Sequence, residues 1–210
     1  MKYDLKAEHH RLVVECGEDL AKQAQSLLKM LAREDATLRD GSIVEFGWAP
    51  LKLVAAGDGL EIWEPDFERD PAAFQPGADT VLRVLAKQAA VTHACGARAL
   101  AARFDHLVHI EREALRKRRV GLVRLQPMDA LDTGWHVGAL DADRSVPGQQ
   151  DETGLPVYQM LRERPSAMKV LALPVGYRVA IDDRDIIEVL NPEGRSVWPL
   201  VDAAGTDAAR

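Results

Sequence analysis

The amino-acid sequence predicts an α+β protein with antiparallel sheets, amphipathic helices on one face, and two sub-domains. Two segments repeat apolar residues at steps of three and four, which is the period of an amphipathic helix. Short runs rich in β-branched residues lie before, between and after these segments, bounded by glycine and proline, and indicate strands. The order strand, helix, strands, helix predicts helices packed on one side of a sheet.

Changes of period define the predicted elements of the N-terminal half. Residues 12–16 are a β-branched run that predicts a strand, whereas apolar residues at helical spacing predict a helix over 18–36. A second helix is predicted over 79–94, where Asp79 and Thr80 are alternative N-terminal caps. Between the two helices, turns rich in aspartate and glycine bound β-branched runs at residues 43–48, 51–54 and 60–63, which predict two or three antiparallel strands.

A proline-bounded acidic segment interrupts these elements. The two prolines within residues 64–71 predict a loop without regular structure, because proline lacks the N–H group that helices and sheets use. The acidic side chains between residues 58 and 70 have two interpretations, an ordinary solvated loop or a contact surface for a basic partner. If they form a contact surface, the exposed candidates are Asp66, Glu68 and Asp70.

Tryptophan and cysteine side chains in this half are interpreted first as packing residues. Trp48 and Trp63 could form a recognition pair, but aromatic residues on strands more often pack in the core or across strands. Cys16 and Cys95 lie far apart, with no CxxC motif, and we expect two buried free thiols.

Histidine and arginine residues near the middle of the chain predict no metal or phosphate site. His106 and His109 fall in a predicted strand, which points them to opposite faces, and no further ligands stand at a usable spacing. We therefore expect neither a metal nor a cofactor. A basic cluster favours a solvated surface near a domain junction over a phosphate site; its members are Arg112, Arg116, Lys117, Arg118 and Arg119. The predicted domains are residues 1–117 and 118–210.

The C-terminal half predicts a second set of strands, at residues 120–125, 135–139, 177–181 and 186–190. Ser166 is a candidate cap for a short helical turn. Residues 141–154 are dominated by polar residues and predict a long surface loop. Because loops of this length often carry function, further acidic residues join the candidate contact residues, namely Asp141, Asp143, Asp151 and Glu152.

Composition and charge narrow the class of protein. Apolar residues make up 47% of the 210 residues, enough for a packed core, and 29% are charged. The formal net charge of −6 argues against nucleic-acid binding, which favours a basic excess, and suits a basic protein partner. The chain shows no signal peptide and no apolar run of membrane length, so we expect a soluble cytoplasmic protein.

Two motifs in the C-terminal half carry the most information about function. The first is Asp132-Thr133-Gly134-Trp135, and the second combines Tyr158, Pro165 and the run Leu173-Pro174-Val175-Gly176. Their order and spacing resemble the immunity protein 33 family, in which the first motif is Asp-Ser-Gly-Trp, so threonine here replaces the serine. The resemblance covers about residues 118–192.

This resemblance implies binding rather than catalysis. Family members accompany bacterial polymorphic toxins and are thought to neutralise a cognate toxin from a contact-dependent or type VI secretion system. A nuclease toxin with a basic cleft would suit the net charge of −6. The chain carries no nucleophile elbow, phosphate-binding glycine loop or zinc-protease motif, and we assign no catalytic residue. The alternatives are an adaptor or regulatory binding protein unrelated to toxins, and an enzyme of unknown reaction. The oligomeric state is not indicated.

Asp132 itself has two interpretations. Its position before Thr133 and Gly134 makes it a good turn former whose carboxylate accepts backbone N–H groups, and this structural role is favoured over toxin contact. Trp135 is likewise favoured as a core anchor. An acid/base pair of Asp132 and His136 is a weak hypothesis, because no nucleophile stands near these residues in the sequence.

Overall fold

The computed structural model describes residues 1–140 and 152–199, which form two six-stranded sheets and four α-helices. The helices are α1 (Ala21–Leu31), α2 (Asp79–Ala94), α3 (Met160–Glu163) and α4 (Pro165–Met168). The strands are β1 (Lys2–Lys6), β2 (Arg11–Glu15), β3 (Ile43–Phe46), β4 (Ala49–Ala56), β5 (Gly59–Asp66), β6 (Asp70–Pro76), β7 (Leu107–Glu111), β8 (Arg119–Arg124), β9 (Asp132–Ala139), β10 (Glu152–Pro156), β11 (Arg178–Asp182) and β12 (Ile186–Leu190). The predicted α+β class is confirmed.

Both sheets are antiparallel except for one parallel pair in each. The first sheet has the order β1-β2-β5-β4-β3, and β6 pairs with the end of β5. The second has the order β10-β7-β9-β8-β11-β12. The parallel pairs are β2 with β5 and β7 with β9. Strand β7 belongs to the second sheet although it precedes residue 117, and the division of the chain at that residue stays a prediction.

The apolar face of α1 packs on β1 and β2, as its helical spacing predicts. Leu27, Leu28 and Leu31 of α1 are at most 1% exposed, and so are Leu12 and Val14 of β2. Burying a leucine side chain contributes roughly 1.5–3 kcal/mol to stability. The buried apolar side chains of the two sheets belong to one cluster, so a common core joins the two halves of the chain.

The prediction of an irregular loop over residues 64–71 is wrong. Strand β5 continues through Pro65 to Asp66, and β6 begins at Asp70 and pairs with it. Strand β5 pairs with β2 as far as Ile62 and with β4 as far as Trp63. Pro65 lies beyond both points, where β5 pairs with β6. A proline has no N–H group to donate, but it costs no hydrogen bond on the side of β5 that has no neighbouring strand, so it is tolerated there. The pairing register of β5 with β6 also shifts between Pro65 and Asp66.

The predicted caps of α2 are also wrong, although the bounds of the helix are as predicted. The capping position is held by Ala78, and the free N–H groups of Thr80 and Val81 donate to the carboxylate of Glu64, at 3.1 and 2.8 Å. Asp79 instead accepts the Gly17 N–H at 2.7 Å. The cap therefore comes from strand β5, which no local sequence pattern reveals.

Smaller differences concern the ends of two elements, one further strand and one cap. Helix α1 starts after a 3-10 turn and stops at Leu31, not residue 36, and β1 was not predicted at all. Residues 152–154, predicted as loop, form part of β10. Ser166 lies inside α4, and its buried hydroxyl has no hydrogen-bond partner among the described residues, so it does not cap the turn. Residues 141–151 of the predicted loop lie outside the described residues.

Two expectations about packing residues are confirmed. Trp48 is fully buried, and its ring stacks on Phe67 with centroids 5.0 Å apart. Cys16 and Cys95 are buried free thiols, and burial raises the pKa of both.

Candidate functional site

The carboxylate of Asp132 organises the loop between β8 and β9. It accepts the N–H groups of Met128 and Gly134 at 2.8 and 2.7 Å, and its Oδ1 lies 3.1 Å from Nε2 of His109. Burial opposes ionisation, but these hydrogen bonds and the nearby imidazole outweigh it and hold the pKa of Asp132 below its usual value. The side chain is 4% exposed, so its hydrogen-bonding capacity is directed inside the protein.

The next three residues of the motif each meet a specific packing requirement. The Thr133 hydroxyl donates to the carbonyl oxygen of Leu107 at 2.7 Å and accepts the Trp135 N–H at 3.1 Å. Gly134 has φ +73°, and a Cβ at this position would overlap the carbonyl oxygen of Leu125. The Trp135 ring is fully buried, and its indole N–H donates to the carbonyl oxygen of Leu171 at 3.0 Å.

The second motif is divided between the core and the surface. Leu173 is fully buried, whereas Gly176 has φ +90° and donates its N–H to the carbonyl oxygen of Arg124 at 2.7 Å. Pro165 is exposed and starts α4, where a proline costs no helical hydrogen bond. Tyr158 is half-buried and lines an open groove.

The groove lies between the β5–β6 turn and the segment around α3 and has a volume of about 520 Å³. Phe67 and Glu68 come from the turn, and Tyr158, Leu161 and Arg162 from the other side; Gln75, Thr80 and Gln159 complete the lining. Pockets of roughly 300–1,000 Å³ with an apolar lining and a few polar groups are typical binding sites.

The structure places the predicted acidic contact residues in different environments. Asp66 accepts the N–H groups of Glu68 and Arg69 at 3.2 and 3.1 Å, and Asp70 accepts that of Ala72. Glu68 is exposed, and its carboxylate has no hydrogen bond or ion pair with any described residue.

Glu152 lies in the other sheet, on β10, with its carboxylate 3.0 Å from Nδ1 of His136. The remaining predicted residues, Asp141, Asp143 and Asp151, lie outside the described residues. Contact of any of these acids with a partner stays a prediction.

Comparison with known protein families shows which family the chain belongs to. A family model described as Imm33-like domain matches residues 87–192, just over half of the chain. The chain belongs to the Imm33-like family. The predicted family is thus confirmed, and the match begins within α2, earlier than the predicted residue 118. No curated protein and no solved structure gives a significant match.

Within the Imm33-like region, Arg124 is a central residue that sequence analysis missed. It is 3% exposed, and its guanidinium donates to the carbonyl oxygens of Thr133, Leu100 and Leu173 at 3.0, 2.7 and 2.7 Å. Burial lowers its pKa to about 10. The sequence does carry a signal for the burial of Arg124, because side chains alternate between the two faces of β8 and Arg124 shares a face with buried Val120. Arg124 also donates to the carbonyl oxygen of Leu171 at 3.3 Å. Its bonds to Thr133 and Leu173 join the two motifs of the family.

A row of histidine–carboxylate pairs crosses the second sheet of the Imm33-like region. His109 pairs with Asp132 and His136 with Glu152, and the two imidazole rings stack with centroids 4.7 Å apart. Asp132 and His136 therefore belong to separate pairs, unlike the acid/base pair considered from sequence. Across residues 1–140 and 152–199, no group of three or more histidine, cysteine or acidic side chains is arranged to hold a metal ion.

In the same part of the chain, no helix is both long and apolar enough to span a membrane.

Proposed function

We propose that this chain is an immunity protein that binds a cognate secreted antibacterial toxin and blocks its action. The observation that carries the proposal is the Imm33-like match over residues 87–192, because the family is one of immunity proteins. An inhibitor of this kind needs a rigid scaffold and a surface complementary to its target, and no chemistry of its own. The two motifs supply the scaffold through Asp132, Gly134, Trp135 and the Arg124 bonds.

The finer parts of the proposal concern the kind of toxin. We propose an effector of a type VI secretion system whose working surface is basic, as the clefts of nucleases are. The net charge of −6 supports this choice, because complementary charge speeds association and disfavours wrong partners. The proposed contact surface is acidic and centres on the β5–β6 turn, with its residues Asp66, Glu68 and Asp70.

The test uses the protein encoded by the adjacent gene. We expect that gene to encode a large toxin with a delivery domain, and the purified toxin domain to form a stable complex with this chain in size-exclusion chromatography. The chain should also inhibit the activity of the toxin at equimolar concentration. A neighbourhood of metabolic genes, or a toxin that remains fully active beside an excess of this chain, would contradict the proposal.

A further inference from the structure

The groove between the β5–β6 turn and α3 places the carboxylate of Glu68, which has no ion-pair partner among the described residues, beside aromatic side chains. We propose that it accepts an arginine or lysine side chain of the toxin, with the cation at Glu68 and the aliphatic stem on Phe67 and Tyr158. This inference rests on the proposed function and names the contact through which it would operate.

The charge balance inside the groove favours a cation. Arg162, the basic residue in the lining, is already paired with Glu163, its Nη2 and Nε lying 2.9 and 3.0 Å from Oε1. Glu68 has no such partner among the described residues, and in our proposal its carboxylate pairs with the cation of the toxin. Besides Glu68, the turn formed by residues 66–70 contains two acidic residues and one arginine, so its formal net charge is −2.

The apolar walls suit the stem of a long basic side chain. Phe67, Tyr158 and Leu161 are partly buried and pack against the core, so they present flat apolar surface at the rim of a cavity of about 520 Å³. Arginine and lysine bury their methylene groups on such surface while the charged end stays polar. A guanidinium also stacks favourably on the faces of phenylalanine and tyrosine.

The groove is rigid enough to be a preformed site. The Phe67 ring stacks on buried Trp48, with centroids 5.0 Å apart, and meets Phe104 edge-on at 6.5 Å. The carboxylate of Asp66 closes the turn, and the N–H of Tyr158 donates to the carbonyl oxygen of Phe104 at 2.9 Å. Both walls are therefore held by the same aromatic cluster, which reduces the entropy lost on binding.

Tyr158 also connects the groove with the family motifs. Among the motif residues placed by the structure, Asp132, Gly134 and Trp135 are buried and serve internal packing. Tyr158 instead lines the groove, and the hydrogen bond that its side chain makes is with its neighbour Gln159, at 3.2 Å. The ring of this tyrosine therefore packs against the core and also lines the groove, where a ligand could contact it.

The first experiment probes the groove without the toxin. The probes are Nα-acetyl-arginine methylamide and its citrulline counterpart, which has the same shape but no charge, titrated into ¹⁵N-labelled protein and followed by NMR. We expect the arginine probe to shift the amide signals of Thr80 and Gln159 in a saturable way, with at least threefold weaker binding of the citrulline probe. The Glu68→Gln variant should weaken binding of the arginine probe at least threefold.

Equal binding of both probes, no response to Glu68→Gln, or preferential binding of the acidic probe Nα-acetyl-glutamate methylamide through Arg162 would overturn the groove proposal. Shifts that grow with protein concentration in the absence of probe would show that a second copy of the chain covers the groove, and would also overturn it.

The second experiment measures the dissociation constant of the complex with the toxin encoded by the adjacent gene, using calorimetry. We expect Glu68→Gln to weaken the complex at least tenfold and Glu68→Lys at least a hundredfold. The matched control is Asp58→Asn, an 84% exposed acid at the other end of β5, roughly 25 Å away at the usual rise per residue. The control should change the dissociation constant less than threefold.

The two proposals fail in distinguishable ways. If the wild-type protein binds the toxin and the Glu68 variants bind equally well, the groove proposal is wrong and the immunity function stands. If the wild-type protein does not bind the toxin, the immunity function fails and the groove proposal fails with it.

Discussion

Substituting Gly134 by alanine tests whether the first motif serves the fold. Gly134 has φ +73°, and an added Cβ would overlap the carbonyl oxygen of Leu125, which is backbone and cannot rotate away. The left-handed conformation costs an alanine about 1–2 kcal/mol. Relieving the overlap in a packed environment adds about 1–3 kcal/mol. We therefore expect Gly134→Ala to lower the free energy of unfolding by about 2–5 kcal/mol.

A matched control separates the two contributions. Gly194 has φ +75°, but a Cβ there would meet no atom within 4 Å, so Gly194→Ala should show the conformational cost alone, about 1–2 kcal/mol. Urea denaturation of both variants, monitored by tryptophan fluorescence, gives the comparison. If Gly134→Ala costs no more than Gly194→Ala, the close approach to Leu125 does not limit this position. The glycine would then need another explanation, such as contact with a partner.

Three further predictions concern single side chains. Arg124→Met removes the donor to four carbonyl oxygens, those of Leu100, Thr133, Leu171 and Leu173, and should lower the free energy of unfolding by about 2–4 kcal/mol in urea, after allowing for relief of the buried charge. Arg124→Lys should not restore it, because an ammonium cannot reproduce the planar fork. Full stability of either variant would contradict this. Because the pKa of Asp132 is lower in the folded protein than its ordinary value of 3.8, its contribution is present above that value and is lost as the pH falls through the folded pKa. Asp132→Asn should therefore destabilise the protein at pH 7 and flatten the fall in stability below about pH 4, measured by urea titrations between pH 7 and pH 2; a variant with the same pH profile as wild type would disprove the assignment. Glu68→Lys should change the free energy of unfolding by less than about 0.5 kcal/mol, since the side chain is exposed and its carboxylate makes no hydrogen bond or ion pair with a described residue; a large loss in thermal melting would show a structural role.

Much of the fold follows from local periodicity in the sequence. The bounds of α2 are as predicted, and the hairpin of β11 and β12 lies where alternation places it, because both depend on neighbouring residues. The prediction failed where the deciding contact comes from a distant segment. The N–H groups at the start of α2 are capped by Glu64, which lies 16 residues before Thr80, and Pro65 is accepted in β5 because of how the sheet is paired.

Less of the candidate site than of the fold could be predicted from the sequence. The acidic turn could be identified by composition, but the groove beside it needs Tyr158 and Leu161, which lie some 90 residues further along the chain. Arg124 was missed because an arginine at the end of a strand is ordinarily solvated, and the four carbonyl oxygens that accept its hydrogen bonds belong to three separate segments. Strand alternation indicates that Arg124 faces inward, but it does not identify these acceptors, because they come from distant segments.

The most direct test of the immunity function is growth rescue in bacteria. The toxin from the adjacent gene is expressed from one inducible promoter and this chain from another, in a strain that lacks the native pair. We predict that toxin expression alone stops growth, that co-expression of the wild-type chain restores it, and that the Asp58→Asn control protects equally well. Cells that stop growing despite soluble expression of the wild-type chain would contradict the assignment of this protein as an immunity protein.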